Sequence, residues 1–527
     1  MNINVKIFVQ FLMVINFIDK KNFGYCKRQN ILLIVVDDLR PSLGIYGDKN
    51  AYTPNIDSLS KRSFVFKHAF CQQSLCAPSR NSFLTSRRPD TLRLYDFYSY
   101  WRDSVGNFTT LPQHFKEHGY ITHSIGKVFH PGISSNFTDD NPYSWSGKPF
   151  HPITEKYKDA KTCRNRDGTL GANLICPVIV KEQPKGTLPD IEILEAAIDF
   201  LKTIQNEKCP YFLAVGFHKP HIPFKFPVEY LRFHQLNKIK LPKNHARPSS
   251  MPTVAWNPWT DVREREDIDK LNISFPFGEM PLNQTKEIIQ AYSASISYID
   301  DLIGTLLQQI DRNTIVVLLG DHGWSLGEHG EFAKYSNFDV ATRVPLIIQV
   351  PGMTQTMIVL DDLVELVDLF PTLVDLTQIT SSLEPCPRIC EDSTSKLSLT
   401  CTEGRSLVPI MVSSLQRKNV TDKDAVFMQY PRPGTFPSLM PNSDKPRLKN
   451  IKVMGYSIRT KTHRYTEWIG FNSKKFKRNW KKVYGRELYD HNLDSQEVLN
   501  LAEREELKPL VEYFSKRLRG GWKNAFL

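Results

Sequence analysis

The chain has 527 residues, of which 41% are hydrophobic and 24% charged. That balance excludes a disordered or low-complexity chain and provides for a sizeable core, in roughly two to four domains by length or one large α/β domain that absorbs most of it. The formal net charge of +12 points to an acidic polymer or acidic substrate as partner, and no nucleic-acid partner is expected.

The first residues, MNINVKIFVQFLMVINFI, place Lys6 before a short apolar stretch from Ile7 to Phe17. It is too short, and too interrupted by Gln10 and Asn16, for a membrane span. It reads as a signal peptide over residues 1–25, with a buried N-terminal helix as the alternative. No later stretch is long and apolar enough to cross a bilayer. Export fits the N-x-S/T acceptors at Asn107, Asn136, Asn272, Asn283 and Asn419.

Ile31 to Val36 (ILLIVV) has the length and composition of a strand buried on both faces, and it ends in Asp37 and Asp38. Ligand sites in open α/β sheets gather at such strand ends. Two adjacent carboxylates repel unless something neutralises them, and a divalent cation does so. The plainer reading is an N-cap pair. A helical pattern follows Thr53-Pro54-Asn55-Ile56-Asp57.

The stretch from Cys71 to Asp90 reads CQQSLCAPSRNSFLTSRRPD. A helix over Ser79–Ser86 places Cys76 at its first turn, where free N–H groups and the helix dipole favour an anion. Arg80 lies one turn further on the same side. Taken alone, this is equally a buried cysteine opening an amphipathic helix.

Leu111 to His118 reads as a helix, followed by a short strand leading to Gly126-Lys127-Val128-Phe129-His130. Residues 131–186 are rich in Pro, Gly, Asn and Asp and read as a long loop region, with a disulfide expected between Cys163 and Cys176. A helix over Asp190–Ile204 precedes a buried strand, Tyr211–Val215, which ends in Gly216-Phe217-His218-Lys219-Pro220-His221. His218 reads as structural. A long helix over Glu287–Gln309 leads to the strand Thr314–Leu319 and then Gly320-Asp321-His322-Gly323. Glu328 and His329 read as loop-shaping residues, and Lys334 as a further cation near the same strand ends.

Leu363 to Leu376 reads as an amphipathic helix with a proline interruption. Cys386 to Glu403 reads as a linker closed by Cys386–Cys401, with Cys390 as a competitor; Cys71 and Cys209 read as buried thiols. Val426–Tyr430, Val453–Thr460 and Arg464–Ile469 suggest a small antiparallel sheet, and Glu506–Leu518 a closing helix. The tract from Lys474 to Lys482, KKFKRNWKK, is either a solvated face or a docking surface for a sulfated glycan or an anionic membrane. The alternation of apolar runs and helical patterns implies an α/β fold with a large, mostly parallel sheet sandwiched by helices. The expected division is 26–412 for this domain and 413–527 for a C-terminal subdomain with a short antiparallel sheet.

The motifs C-x-P-S-R with the following L-T, T-P-N-I-D, G-K-x-x-H and K-P-H resemble those of the sulfatase family. The longer stretches SRRPDTLRLYDFYSYWR, GKVFHPGISSN, AVGFHKPHIPF, GDHGWSLGEHGEFAKYSNFDVAT and KVMGYSIRT strengthen the likeness, which runs from Asn30 to Leu501. It implies the alkaline-phosphatase/sulfatase fold. It also implies that Cys76 is oxidised to formylglycine by the formylglycine-generating enzyme of the secretory pathway. One hydroxyl of the aldehyde hydrate can attack sulfur and the other can expel sulfate by re-forming C=O, an exit that a thiolate lacks.

The resemblance further implies one calcium ion on Asp37, Asp38, Asp321 and His322, with the modified Cys76 completing the shell. Arg80, Lys127, His130, His221 and Lys334 surround the sulfate, with His130 as base and His221 as acid on the leaving sugar oxygen. Lys219, Trp324, Arg432 and Lys445 are the expected substrate contacts. The implied reaction is removal of the 2-O-sulfate from terminal iduronate in heparan and dermatan sulfate, in lysosomes. Departures are Ser86 where the family has Gly, His322 where many members have Asn, a short segment between Val350 and Leu363, and the residues after Gly434. The competing readings are a sulfatase of other glycan specificity and a secreted glycan-binding protein with a dead site. A phosphomonoesterase of the same superfamily is disfavoured by a cysteine where Ser or Thr and two metals are usual.

Overall fold

The computed structural model of the chain describes residues 28–205, 207, 209–387, 399–418 and 423–524. The expected signal peptide, Cys390 and Asn419 lie outside the described residues. Seven strands form the central sheet: β1 (Asn30–Val36), β2 (Phe64–Phe70), β3 (Ile121–Gly126), β4 (Tyr211–Phe217), β5 (Thr314–Gly320), β6 (Arg343–Gln349) and β7 (Ile358–Glu365). Their order is β7-β2-β6-β5-β1-β4-β3, and only β6 runs against the rest.

β1 is buried along its whole length. Its alternate side chains feed two cores, as strand geometry dictates. Leu32, Ile34 and Val36 pack towards α4 (Pro189–Ile204) and α5 (Leu282–Leu307), whereas Ile31, Leu33 and Val35 face the side of α2 (Cys76–Thr85), α3 (Leu111–Glu117) and α6 (Leu369–Thr377). The remaining N-terminal helix, α1 (Pro54–Ser60), packs against α5. Helices therefore cover both faces, and no described helix is long and apolar enough to cross a membrane.

Three sheet strands, β2, β6 and β7, were not marked by hydrophobic pattern. β2 carries Lys67 and His68, and β6 carries Pro345 at a register shift. The expected helix from Leu363 is corrected: residues up to Glu365 pair in parallel with β2, and the α-helix begins at Leu369. Backbone pairing inside the sheet overrides the local helical pattern there.

A second, antiparallel sheet follows in the order β8 (Ala425–Arg432), β9 (Val453–Thr460), β10 (His463–Asn472) and β11 (Lys477–Asp490), with α7 (Lys508–Gly520) against it. A helix, Val408–Leu415, runs through the expected division at 412/413. Disulfides Cys163–Cys176 and Cys386–Cys401 are both formed. Cys71 is buried as expected, but Cys209 is exposed, since it precedes β4 in a surface loop.

Candidate active site

Sheet register assembles the site. Val36 stands beside Gly320 of β5 and Phe217 of β4, and Gly126 of β3 stands beside Gly216 of β4. The residues after these strand ends therefore converge: Asp37 and Asp38, Asp321 and His322, Lys127, and the turn from His218 to His221. Gly216 is required for this approach, because a Cβ there would come within 2.0 Å of the Lys127 carbonyl oxygen.

Helix α2 delivers Cys76 as its first residue, only 1% exposed. Its Sγ lies 3.1 Å from Lys334 Nζ, 3.3 Å from His322 Nε2, 3.7 Å from Lys127 Nζ and 4.0 Å from Asp38 Oδ1. Burial, aided by Asp37, pushes the thiol up to about 12. An unmodified Cys76 is thus protonated and weakly nucleophilic.

Asp37, Asp38 and Asp321 are fully buried. Arg80 braces Asp37 and Asp321: Nε donates to Asp321 Oδ2 at 2.9 Å, Nη2 to Asp37 Oδ1 at 2.8 Å, and Nη1 to the carbonyls of Lys127 and Val128. A buried guanidinium fork is well satisfied between two carboxylates, and Arg80 holds Asp37 and Asp321 in this way. Lys127 Nζ lies 2.5 Å from Asp37 Oδ2, and Lys334 Nζ 2.7 Å from Asp38 Oδ1.

Burial raises Asp37, but Lys127 and Arg80 outweigh it and hold the carboxyl well below the usual range. Asp38 goes the other way, pushed up to about 7 by burial and by the neighbouring Asp37 and Asp321 charges against the pull of Lys334. Asp321 rises to about 6 through burial and Asp37, against Arg80.

The donor set fits a divalent cation. Asp38 Oδ2 is buried without a hydrogen-bond partner. His322 Nδ1 sits 3.0 Å from the Gly323 carbonyl, so this nitrogen carries the hydrogen. Its Nε2 lone pair then faces Asp38 Oδ1 at 3.4 Å and Asp321 Oδ2 at 3.5 Å. Acceptors aimed at acceptors call for a cation between them, and fixing an imidazole through its other nitrogen is how ligating histidines are held. Ligand atoms of Asp37, Cys76, Asp321 and His322 lie within 4.8 Å of one another, as do those of Asp37, Asp38, Cys76 and His221.

Two histidines flank this cluster. His221 Nε2 is 4.0 Å from Asp38 Oδ2, and its Nδ1 is 2.7 Å from the Ile222 carbonyl. The His130 ring lies 4.5 Å from Phe97. Burial and the nearby Lys127 hold both histidines well below their ordinary value.

Several expected substrate contacts have internal partners. Lys219 Nζ donates to the carbonyls of His221 and Pro223, so it shapes the turn that carries His221. Arg432 is 2% exposed and donates to the carbonyls of Val254, Ala255 and Tyr335. Both cations brace the carbonyls of the loops around the site. Trp324 is buried, with the Lys334 ammonium 5.7 Å from its ring. Lys445 stays partly exposed and pairs with Asp261, which also accepts from the Tyr335 hydroxyl. His218 is buried with its N–H on Asp190 Oδ1 at 2.6 Å. Glu328 pairs with Arg40, and His329 stacks on Phe338. Asn107, Asn136, Asn272 and Asn283 are exposed.

Two positioning residues were given no role by the sequence. The Ser79 hydroxyl donates to the Asp321 carbonyl, and the Tyr292 hydroxyl to the Asp38 carbonyl at 2.7 Å. Tyr292 looked like one more core residue of the long helix. Ser86, at the end of α2, has φ 51°, and its hydroxyl donates to the Val367 carbonyl at 2.6 Å, with Thr402 Oγ1 also at 2.6 Å. A serine thus holds the left-handed position usually given to Gly.

Residues 29–379 match the family profile described as Sulfatase. Iduronate 2-sulfatase of Mus musculus is 50% identical over 515 residues, 89% of this chain and 91% of the relative. Iduronate 2-sulfatase of Homo sapiens is 50% identical over 511 residues, 89% and 92% respectively. A protein solved in complex with its substrate D-glucosamine-2-N,6-O-disulfate superposes with a TM-score of 0.63 at 19% identity, covering 94% of this chain and 99% of that one, which shows a shared fold. The architecture is of the alkaline-phosphatase/sulfatase type, and with the family profile spanning most of its length the chain belongs to the sulfatase family and is a sulfatase.

Proposed function

We propose that this sulfatase removes the 2-O-sulfate from terminal iduronate in heparan sulfate and dermatan sulfate. The observation that carries the substrate is the 50% identity, over 89% of the chain, to two iduronate 2-sulfatases. The reaction type is supported by Cys76 standing 3.1 Å from Lys334 and 3.3 Å from His322, among buried carboxylates.

In this reading Cys76 is converted to formylglycine, whose hydrate supplies one hydroxyl to attack sulfur and another from which the aldehyde re-forms. Asp37, Asp38, Asp321 and His322 would hold one calcium ion, which adds positive charge beside the sulfate oxygens. Lys127 and Lys334 are the cations placed to bind the sulfate. Arg80 holds Asp37 and Asp321 in register with them. His130 takes a proton on the hydrate side, and His221 gives one to the leaving sugar oxygen from Nε2, its Nδ1–H remaining on the Ile222 carbonyl. Because its surroundings disfavour the imidazolium, the acid form of His221 calls for low pH and an anion already bound, which suits a lysosomal enzyme. Entry through the secretory pathway, glycans on the Asn acceptors, and a division into a catalytic domain and a C-terminal subdomain after the Val408–Leu415 helix complete the reading.

The test is sulfate release from a heparin-derived disaccharide ending in 2-O-sulfated iduronate, using protein co-expressed with the formylglycine-generating enzyme. Release is expected, and is lost in Cys76→Ala and with chelator. No release, combined with an aldehyde mass on the Cys76 peptide, would replace this substrate by another sulfated glycan. An intact cysteine in protein so produced would favour a glycan-binding protein.

A further inference from the structure

We propose that the hairpin of β10 and β11 is a docking surface for the sulfated polysaccharide chain that continues from the terminal sugar in the active site, an inference that rests on the glycosaminoglycan reading above. β11 is the free edge of the antiparallel sheet. Lys474, Lys475, Lys477, Lys481 and Lys482 are all exposed on it or on the turn before it, and none has a carboxylate within ion-pair distance among the described residues. Arg478, within the same tract, is tied to Asp90 at 2.5 Å and lies 4.8 Å over Tyr456. The strand is thereby fixed while its lysines carry no ion pair among the described residues, Lys482 lying 5.3 Å over the Tyr484 ring.

The hairpin is continuous with the rim of the active site. Phe471 and Phe476 pack on Tyr95, at 5.4 and 6.4 Å between rings. Two residues further on, Phe97 lies 4.5 Å from the His130 ring. Arg447, exposed, lies 4.4 Å over the neighbouring Tyr98. Lys452, also exposed, accepts the Phe471 N–H on its carbonyl at 2.8 Å. Positive charge therefore runs from the site's edge to the hairpin.

Lysines on an edge strand also block unwanted pairing. That role does not account for Lys474 and Lys475 in the turn, nor for Arg447 and Lys452 off the strand. An anionic membrane would call for apolar side chains free to insert beside the charges. Phe476 is instead packed on Tyr95, and Trp480 lies 5.4 Å from Tyr456. A linear polyanion meets such a track with repeated sulfates.

The variant that tests this carries Lys474→Gln, Lys475→Gln, Lys477→Gln, Lys481→Gln and Lys482→Gln. On the disaccharide its kcat/KM should equal wild type, while its KM for long heparan sulfate chains should rise roughly tenfold as exposed ion pairs are lost. Retention on immobilised heparin should shift to lower salt, measured in a Cys76→Ala background so that binding is read without turnover. Unchanged polymer KM and unchanged retention would overturn the proposal, as would an equal loss on both substrates, or tighter binding to phosphatidylserine vesicles than to a heparin oligosaccharide. Lysine-dependent retention in a protein that releases no 2-O-sulfate would uphold the surface and sink the substrate reading instead.

Discussion

The Tyr292 hydroxyl donates to the main-chain carbonyl of Asp38, a residue held at φ 61°. The Tyr292 hydroxyl oxygen in turn accepts the Arg40 N–H at 3.1 Å. An aspartate in the left-handed region is strained, and this tyrosine on α5 helps to hold it there. Tyr292→Phe should cost about 1–2 kcal/mol of stability and weaken binding at the proposed calcium site, because the backbone that aims the Asp38 carboxylate loses its anchor. Thermal melts with and without calcium would show a smaller calcium-induced rise in Tm than in wild type; an equal rise would sink the positioning role.

Arg80 bridges two buried carboxylates, Asp37 and Asp321. Arg80→Ala leaves Asp37 and Asp321 short of a buried cation and should destabilise by about 3–5 kcal/mol. Arg80→Lys keeps one positive charge but cannot bridge both carboxylates with a fork. The expected result is a folded protein with kcat reduced roughly a hundredfold, on the scale of losing a preorganised electrostatic contact. A Lys variant with wild-type kcat would show that bridging is dispensable.

Arg432 and Lys445 should respond oppositely. Arg432→Ala removes the donors of three buried carbonyls, so low Tm and poor folded yield are expected. Lys445→Ala, at a partly exposed position, should leave Tm within a degree or two and raise KM roughly threefold with kcat unchanged. A kcat loss without a KM change for Lys445→Ala would contradict a rim role.

Burial pushes the Glu331 carboxyl up to about 8, although Oε1 accepts the Asn257 N–H at 2.7 Å. The folded state therefore holds this proton more tightly than the unfolded chain, whose carboxyl titrates near 4.5. The stabilisation is complete below that lower value and is lost as pH rises towards 8. The contribution of this one carboxyl is therefore larger at pH 5 than at pH 8. Glu331→Gln should recover about 1–3 kcal/mol at pH 8 relative to wild type and flatten the profile. An unchanged pH dependence of Tm in that variant would assign the effect to other groups.

The strand ends were legible in the sequence because β1, β4 and β5 are apolar on both faces and stop abruptly at charged residues. β2 and β6 were not, since Lys67, His68 and Pro345 interrupt them and only pairing with distant strands makes them sheet. The residue types of the site were legible too, and their directions were not. Whether Arg80 looks outward or down depends on Asp37 and Asp321, 43 and 241 positions away. The internal partners of Lys219 and Arg432 were hidden for the same reason: the carbonyls they meet are set by the folded loops around the site, not by spacing along the chain.

Cys76 is 1% exposed, on a helix whose residues are all buried and whose far end is tied by Ser86 to Val367 and Thr402. On the proposed chemistry, oxidation of this thiol by another enzyme has a deadline. It must happen while the segment is still an extended chain in the secretory lumen, before α2 docks beneath the sheet. A molecule that folds first is sealed with its thiol intact. The active fraction of any preparation is then decided during synthesis, as a race between the modifying enzyme and collapse of the core. Slowing folding by lower temperature should raise specific activity without altering a single contact of the finished site.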